Sequence, residues 1–307
     1  MPLHPEIAKI LASLPAPPPG PLDPVAMRAG EEAQVPPVEE RLPLYAVEDT
    51  AIAGVPVRVY TPEEVVTTGT ATGSGVIVYL HGGAFFLGSL ETHDHVARSL
   101  AKETGLKVVS VGYRLAPEHA FPAGLDDCYA VVEWIAEHGS EIGWDGGTLA
   151  VAGDSSGGTF AAAVAALAHD RGLAGITHQV LYYPSLDLDF DEDRYASLRE
   201  NAVGYGLETA GLKPFNAFYL ESGADPADPR VSPIKRTDLA GLPKALIVTA
   251  ELDPLRDEGE LYGKRLAEAG VETKVSRYDG AGHGFVQHFS WLPEYAAVFT
   301  ETAEFLR

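Results

Sequence analysis

The chain has 307 residues, with 44 Asp and Glu against 22 Lys and Arg, a formal charge of −22, and a single cysteine, Cys128. A chain of this length can bury most of its apolar surface in one domain without disulfide or metal staples, and a lone cysteine excludes an intrachain disulfide. The acidic balance repels nucleic acid and anionic membrane surfaces and disfavours strongly anionic substrates, so neither nucleic acid nor a membrane is expected as a partner.

The N-terminus lacks the basic region and unbroken apolar core of a signal peptide: the apolar run over residues 7–14 is interrupted by Lys9 and Ser13 and closed by Pro15. Nothing approaches the ~20 apolar residues of a membrane span, and a soluble cytoplasmic protein is the expectation. The first 43 residues are rich in proline, with Pro15, Pro17, Pro18 and Pro19 in a cluster, and allow one or two short helices but no sheet core. From Tyr45 the pattern changes. Residues 55–60 alternate like a half-exposed strand, 75–80 (GVIVYL) read as a buried strand, and 107–113 (KVVSVGY) as another. Residues 122–138 form a long amphipathic helix with proline in its first turn and Cys128 as a buried thiol. The strand at 148–152 (TLAVA) runs straight into Gly153 and is followed by an alanine-rich helix over 157–171.

Further strands are expected at 176–183, 244–250 and 272–278, and helices at about 257–269 and 293–306. Strands alternating with helices predict an α/β fold: a mostly parallel sheet covered on both faces. Residues 185–237 carry no convincing strand, and an excursion of that length between two core strands reads as an inserted cap or lid. The expected organisation is one domain over 1–307, its cap drawn from about 1–44 and 185–237 and its catalytic core from about 45–184 and 238–307.

Gly153-Asp154-Ser155-Ser156-Gly157 fits G-x-S-x-G at Ser155 only, because Asp154 stands where Ser156 would need glycine. A serine displayed on a tight strand-to-helix turn has a strained backbone, and side chains two residues to either side would clash. Glycine removes that clash, and the following helix offers its N-terminal amides to developing negative charge. The likeness of GDSSGG to the GDSGG of chymotrypsin-like proteases is rejected, since those are all-β and this chain has long alanine-rich helices.

In enzymes with a serine on such an elbow the chain order is serine, acid, histidine, each on a loop after a strand. Among ten histidines, only His283 and His288 lie beyond the last expected strand, and His283 sits in the glycine-rich loop directly after it. For the acid, Asp253 is best placed after the preceding strand, with Glu251 and Asp257 as rivals. A competing role for Asp253 is to cap the helix that begins near Leu255. His81-Gly82-Gly83-Ala84 follows the strand GVIVYL, where a lipase-type H-G-G-G loop belongs, so the amides of Gly83 and Ala84 are candidate oxyanion donors together with that of Ser156. His81 itself is expected to hydrogen-bond within its loop.

Taken together, the motifs resemble the bacterial hormone-sensitive-lipase family of carboxylesterases, of the α/β-hydrolase superfamily. They are HGGAFFLG at 81–88, YRLAPEHAFPA at 113–123, GDSSGG, DPLRDEG at 253–259 and HGF at 283–285, within a likeness running from Tyr45 to the C-terminus. The resemblance implies an eight-stranded mixed sheet with a helical cap, and hydrolysis of short-chain acyl esters without a cofactor. It matches Ser155, Asp253 and His283 to the family's triad and Gly83, Ala84 and Ser156 to its oxyanion donors. One residue departs from the pattern. Ala84 replaces the third glycine of H-G-G-G, which still leaves an amide but adds a methyl near the acyl or alcohol pocket.

The expected reaction is acyl transfer by a serine hydrolase on a small-molecule ester, in a mostly neutral pocket lined by Phe85, Phe86, Leu87 and cap residues. No Cys/His pair has metal-ligand spacing, so no metal is expected. An amidase, formamidase or peptidase on the same scaffold is the alternative enzyme, and a ligand-binding receptor of the same fold the non-enzymatic one. The sequence leaves a homo-oligomer open.

Overall fold

The computed structural model describes residues 2–13, 20–63 and 75–307; the proline cluster lies outside the described residues. The seven expected strands are all present, and an eighth precedes them. In chain order they are β1 (Ala46–Ile52), β2 (Val55–Thr61), β3 (Val76–Leu80), β4 (Lys107–Val111), β5 (Leu149–Asp154), β6 (Ile176–Tyr182), β7 (Lys244–Leu252) and β8 (Thr273–Gly282). They hydrogen-bond in the order β1-β2-β4-β3-β5-β6-β7-β8. The β1–β2 and β2–β4 pairs are antiparallel and all other pairs parallel. β1 escaped the apolar pattern because Glu48, Asp49, Thr50 and Ala51 are exposed. It is an edge strand, held by its pairing to β2, where charges are tolerated.

Period two puts successive side chains on opposite faces of the sheet. Val76, Val78 and Leu80 of β3 enter one core with Val131 and Phe160, while Ile77 and Tyr79 enter the other with Val96, Leu100 and Val298. Helices cover both faces: α3 (Asp94–Thr104), α4 (Ala123–His138), α5 (Ser156–Asp170), α8 (Arg256–Glu268) and α10 (Pro293–Phe305). α3 was not expected from sequence, because Asp94 and Arg98 interrupt its apolar stripe. Both are buried: Asp94 accepts hydrogen bonds from Arg98 (2.5 Å) and from the Tyr60 hydroxyl (2.9 Å).

The remaining helices are α1 (Pro5–Ser13), α2 (Pro24–Glu32), α6 (Ser197–Glu200), α7 (Thr209–Leu220) and α9 (Phe285–His288). Among the described residues, 185–237 contain no strand, only α6, α7 and a 3₁₀ turn at Pro233–Lys235. Among the described residues, no helix is long and apolar enough to cross a membrane.

The start of the 185–237 segment is fastened to the core by a buried acid. Glu258, on α8, accepts the amide of Leu186 through Oε1 at 2.5 Å, while its Oε2 has no partner among the described residues. Burial pushes the Glu258 carboxyl well above its ordinary 4.5, and the nearby Asp187 and Asp253 push it further. A raised folded-state pKa means that the unfolded chain releases this proton first as pH rises. The associated stability is therefore complete below about pH 4.5 and declines above it. Glu258→Gln keeps the acceptor oxygen and cannot ionise. Its urea midpoint, measured from pH 5 to pH 8, should gain on the wild-type midpoint as pH rises; parallel curves would show that the carboxyl is already ionised in the fold.

Candidate active site

β5 ends at Asp154 and α5 begins at Ser156, so Ser155 alone makes the turn, at φ 52° and ψ −119°. Such a conformation costs roughly 1–3 kcal/mol and persists only where the surroundings over-determine it. The surroundings here are backbone. A side chain at Gly157 would drive its Cβ into the carbonyl oxygen of Leu80, and one at Gly153 into the carbonyl of Gly157. The turn is pinned by the Ser155 amide, which donates to Tyr182 O (2.9 Å), and by Ser155 O, which accepts from the Ser185 amide (3.2 Å).

At this elbow the Ser155 hydroxyl faces His283 Nε2 at 2.9 Å, and His283 Nδ1 faces Asp253 Oδ2 at 2.8 Å. Asp253 is fully buried, and its other oxygen accepts the Leu255 amide (2.8 Å). That bond closes a turn just ahead of α8 and is not a helix cap, since the cap position is Leu255 and no side chain caps it; Asp253 thus gives one oxygen to the turn and the other to His283. The rivals are engaged elsewhere: Glu251 accepts the Gly280 amide (2.7 Å), and Asp257 the Ser197 amide (2.9 Å). His288 lines the cavity, but the imidazole hydrogen-bonded to Ser155 is that of His283. His81 stacks on Tyr113 (centroids 4.2 Å apart) and donates from Nδ1 to Gly82 O (2.8 Å), within its loop. Burial pushes its pKa down to about 3, which keeps the ring neutral.

In the loop after β3, the amides of Gly82, Phe85, Phe86 and Leu87 all have protein acceptors. Among the described residues, those of Gly83 and Ala84 have none, and both residues line the cavity beside Ser155. Two neighbours missed in the sequence shape this loop. Asp154, buried, accepts from the Gly82 amide (2.9 Å) and the Tyr79 hydroxyl (2.6 Å), tying the loop to the elbow. Arg28, on α2, donates to Phe86 O (2.7 Å) and pairs with Glu118 (2.8 Å). No periodicity announces either role; only the tertiary approach of α2 to the loop reveals Arg28.

The cavity around Ser155 encloses about 640 Å³. Ile10 and Leu11 of α1, Glu31 of α2 and Phe215 of α7 form part of its wall, with Ala84, Phe86 and Leu87 from the loop. Phe85 departs from expectation. It takes φ 66°, turns into the core, and stacks on Tyr219 of α7 (3.9 Å, 9°) with an edge toward Phe160. It is a structural strut rather than a pocket residue, because consecutive residues in this turn point to different sides.

Ser156 also does more than present an amide. Its hydroxyl is buried and accepts the Phe85 amide at 3.2 Å. Ser156→Ala would strand a buried donor in the loop, at a cost of about 1–3 kcal/mol. Denaturant unfolding should report that loss; an unchanged midpoint would mean that the Phe85 amide finds another acceptor.

Comparison with known proteins follows the same lines. A family profile described as "alpha/beta hydrolase fold" matches residues 77–287. Carboxylesterase NlhH of Mycobacterium tuberculosis is 40% identical over 266 residues, 84% of this chain and 81% of that protein. An arylesterase of Saccharolobus solfataricus is 38% identical over 237 residues, 76% of this chain and 73% of its own. The structure of a hyperthermophilic esterase from the archaeon Pyrobaculum calidifontis superposes with a TM-score of 0.88 at 40% identity, covering 100% of this chain and 98% of that one. The chain belongs to the α/β-hydrolase fold family, in its hormone-sensitive-lipase-like branch.

Proposed function

We propose that the protein is a serine carboxylesterase that hydrolyses short-chain acyl esters through an acyl-enzyme, with Ser155 as nucleophile, His283 as base and Asp253 as orienting acid. The observation that carries this reading is the unbroken relay from Ser155 Oγ through His283 to the buried Asp253. Esters rather than amides follow from the relatives, which are named as esterases.

In this mechanism His283 Nε2 takes the Ser155 proton as Oγ attacks the ester carbonyl. Asp253 fixes the Nδ1–H tautomer and stabilises the imidazolium that forms. The carbonyl oxygen, now negative, lies against the amides of Gly83, Ala84 and Ser156, which need no reorganisation to receive it. His283 returns the proton to the leaving alcohol, and water repeats the cycle to free the acid and Ser155. The reaction balances with water alone. A cavity of about 640 Å³ walled by α1, α2 and α7 supports the reading of residues 1–44 and 185–237 as a cap over the core.

The test is a rate profile over p-nitrophenyl esters of increasing acyl length, with the corresponding anilide, in wild type and Ser155→Ala. Acetate and butyrate should outpace long-chain esters and the anilide, and Ser155→Ala should lose on the order of 10⁴-fold or more in kcat. Preference for the anilide would turn the reading to an amidase, and an active Ser155→Ala would remove the nucleophile.

Ala84 gives a second prediction. It stands at φ 49°, lines the cavity, and presents a methyl where glycine would present none. A branched alcohol needs that space, and overpacking a tight site costs roughly 1–3 kcal/mol. Ala84→Gly should raise kcat/KM for tert-butyl relative to ethyl esters by about 5- to 100-fold. Equal slowing of both esters would mean that the change only loosens the loop.

A further inference from the structure

A second, smaller cavity of about 240 Å³ lies against the one that holds Ser155, and Glu31, Gln34, Gln287 and His288 line both. Glu31 is the carboxylate at this junction. It is partly buried, and its Oε2 accepts the Gly88 amide at 3.1 Å. Among the described residues, no Lys or Arg side chain pairs with it. The other acids of the smaller cavity are neutralised: Glu91 by Arg41 and Arg58, and Asp94 by Arg41, Arg58 and Arg98. The larger cavity has no Lys or Arg on its described wall, and its other carboxylate near Ser155, Asp154, is buried, with Oδ1 accepting from Tyr79 and Gly82 and Oδ2 facing His93 Nε2 at 3.7 Å. Glu31 therefore meets the substrate cavity as a carboxylate that no lysine or arginine neutralises. Burial pushes its carboxyl above the ordinary 4.5, against the opposing pull of the Gly88 amide and of His93.

The direction of the substrate follows from proton transfer. His283 must hand its proton to the leaving oxygen, so the alcohol part of an ester lies on the His283 side of Ser155. Gln287, on α9 and four residues beyond His283, shares both cavity walls with Glu31. Resting on the esterase reading above, we propose that Glu31 selects esters whose alcohol part carries a fixed positive charge, such as a quaternary ammonium, and disfavours esters whose alcohol part is anionic.

The experiment compares acetylcholine with its uncharged isostere 3,3-dimethylbutyl acetate, and with the anionic 3-acetoxypropanoate, at pH 8 in wild type and Glu31→Gln. Glutamine keeps an oxygen to accept the Gly88 amide, and each comparison is a ratio within one protein, which cancels intrinsic ester reactivity and losses of folded enzyme. The kcat/KM ratio of acetylcholine to the isostere should fall about 5- to 30-fold in Glu31→Gln, the size expected of a partly solvated charge pair. The ratio for the anionic ester should rise. In wild type alone, raising salt should lower the acetylcholine ratio, because a partly exposed pair is screened. Ratios equal in the two proteins and insensitive to salt would overturn the inference while leaving the esterase reading intact. If wild type hydrolyses none of the three esters, the esterase reading falls, and the inference with it.

Discussion

The molecule turns on one backbone contact. Between β5 and α5 the chain reverses through Ser155 in a left-handed conformation, and it can do so only because Gly157 lies directly against the carbonyls of Leu80 and His81. That contact brings the end of β3 against the start of α5, so the loop after β3 and the N-terminal amides of α5 face the same point. A side chain at either elbow glycine would separate them. The strain at Ser155, roughly 1–3 kcal/mol, is small beside the packing of two buried sheet faces, which hold β3 and β5 in register from Val76 opposite Leu149 to Leu80 opposite Gly153.

The loop after β3 also organises what lies above the site. On one side it receives α2, through Arg28 on Phe86 O and Glu31 on the Gly88 amide. On the other, Phe85 stacks on Tyr219 and Phe86 lies against Phe218, both on α7. Two segments distant in the chain thus share one anchor. From beneath, Asp154 and Ser156 hold the same loop through the amides of Gly82 and Phe85. Movement of either segment would be felt at the amides of Gly83 and Ala84.

Charge is distributed unevenly between surface and site. The chain carries a formal −22, yet most buried acids near the core are met by arginine or backbone amides, as in the Asp94 cluster. Buried carboxylates of this kind contribute through neighbours that satisfy them. Glu258 and Glu31 stand apart, each holding an amide without a cation and each raised above its ordinary pKa.

The alternation of apolar runs determined the layered sheet, because strands buried on both faces leave a strong local signal. The spacing G-x-S-x-G determined the elbow, since no other residue fits there, and chain order pointed to His283 and narrowed the acid to Asp253 and its two rivals. Weak local signals hid the rest: β1 is an exposed edge, and α3 buries an ion pair in its apolar stripe. Whether Phe85 faced the cavity or the core depended on backbone angles in a turn, and adjacency in sequence gave no guide to it. The choice of Asp253 over Glu251 and Asp257 was completed only when β7 and β8 packed side by side, placing one carboxylate against His283 and the others against backbone amides. The partnership of α2 with the loop after β3, and the unpaired carboxylate of Glu31 at the cavity junction, belong wholly to the tertiary structure. They join residues nearly sixty positions apart, and no local pattern can record a contact at that distance.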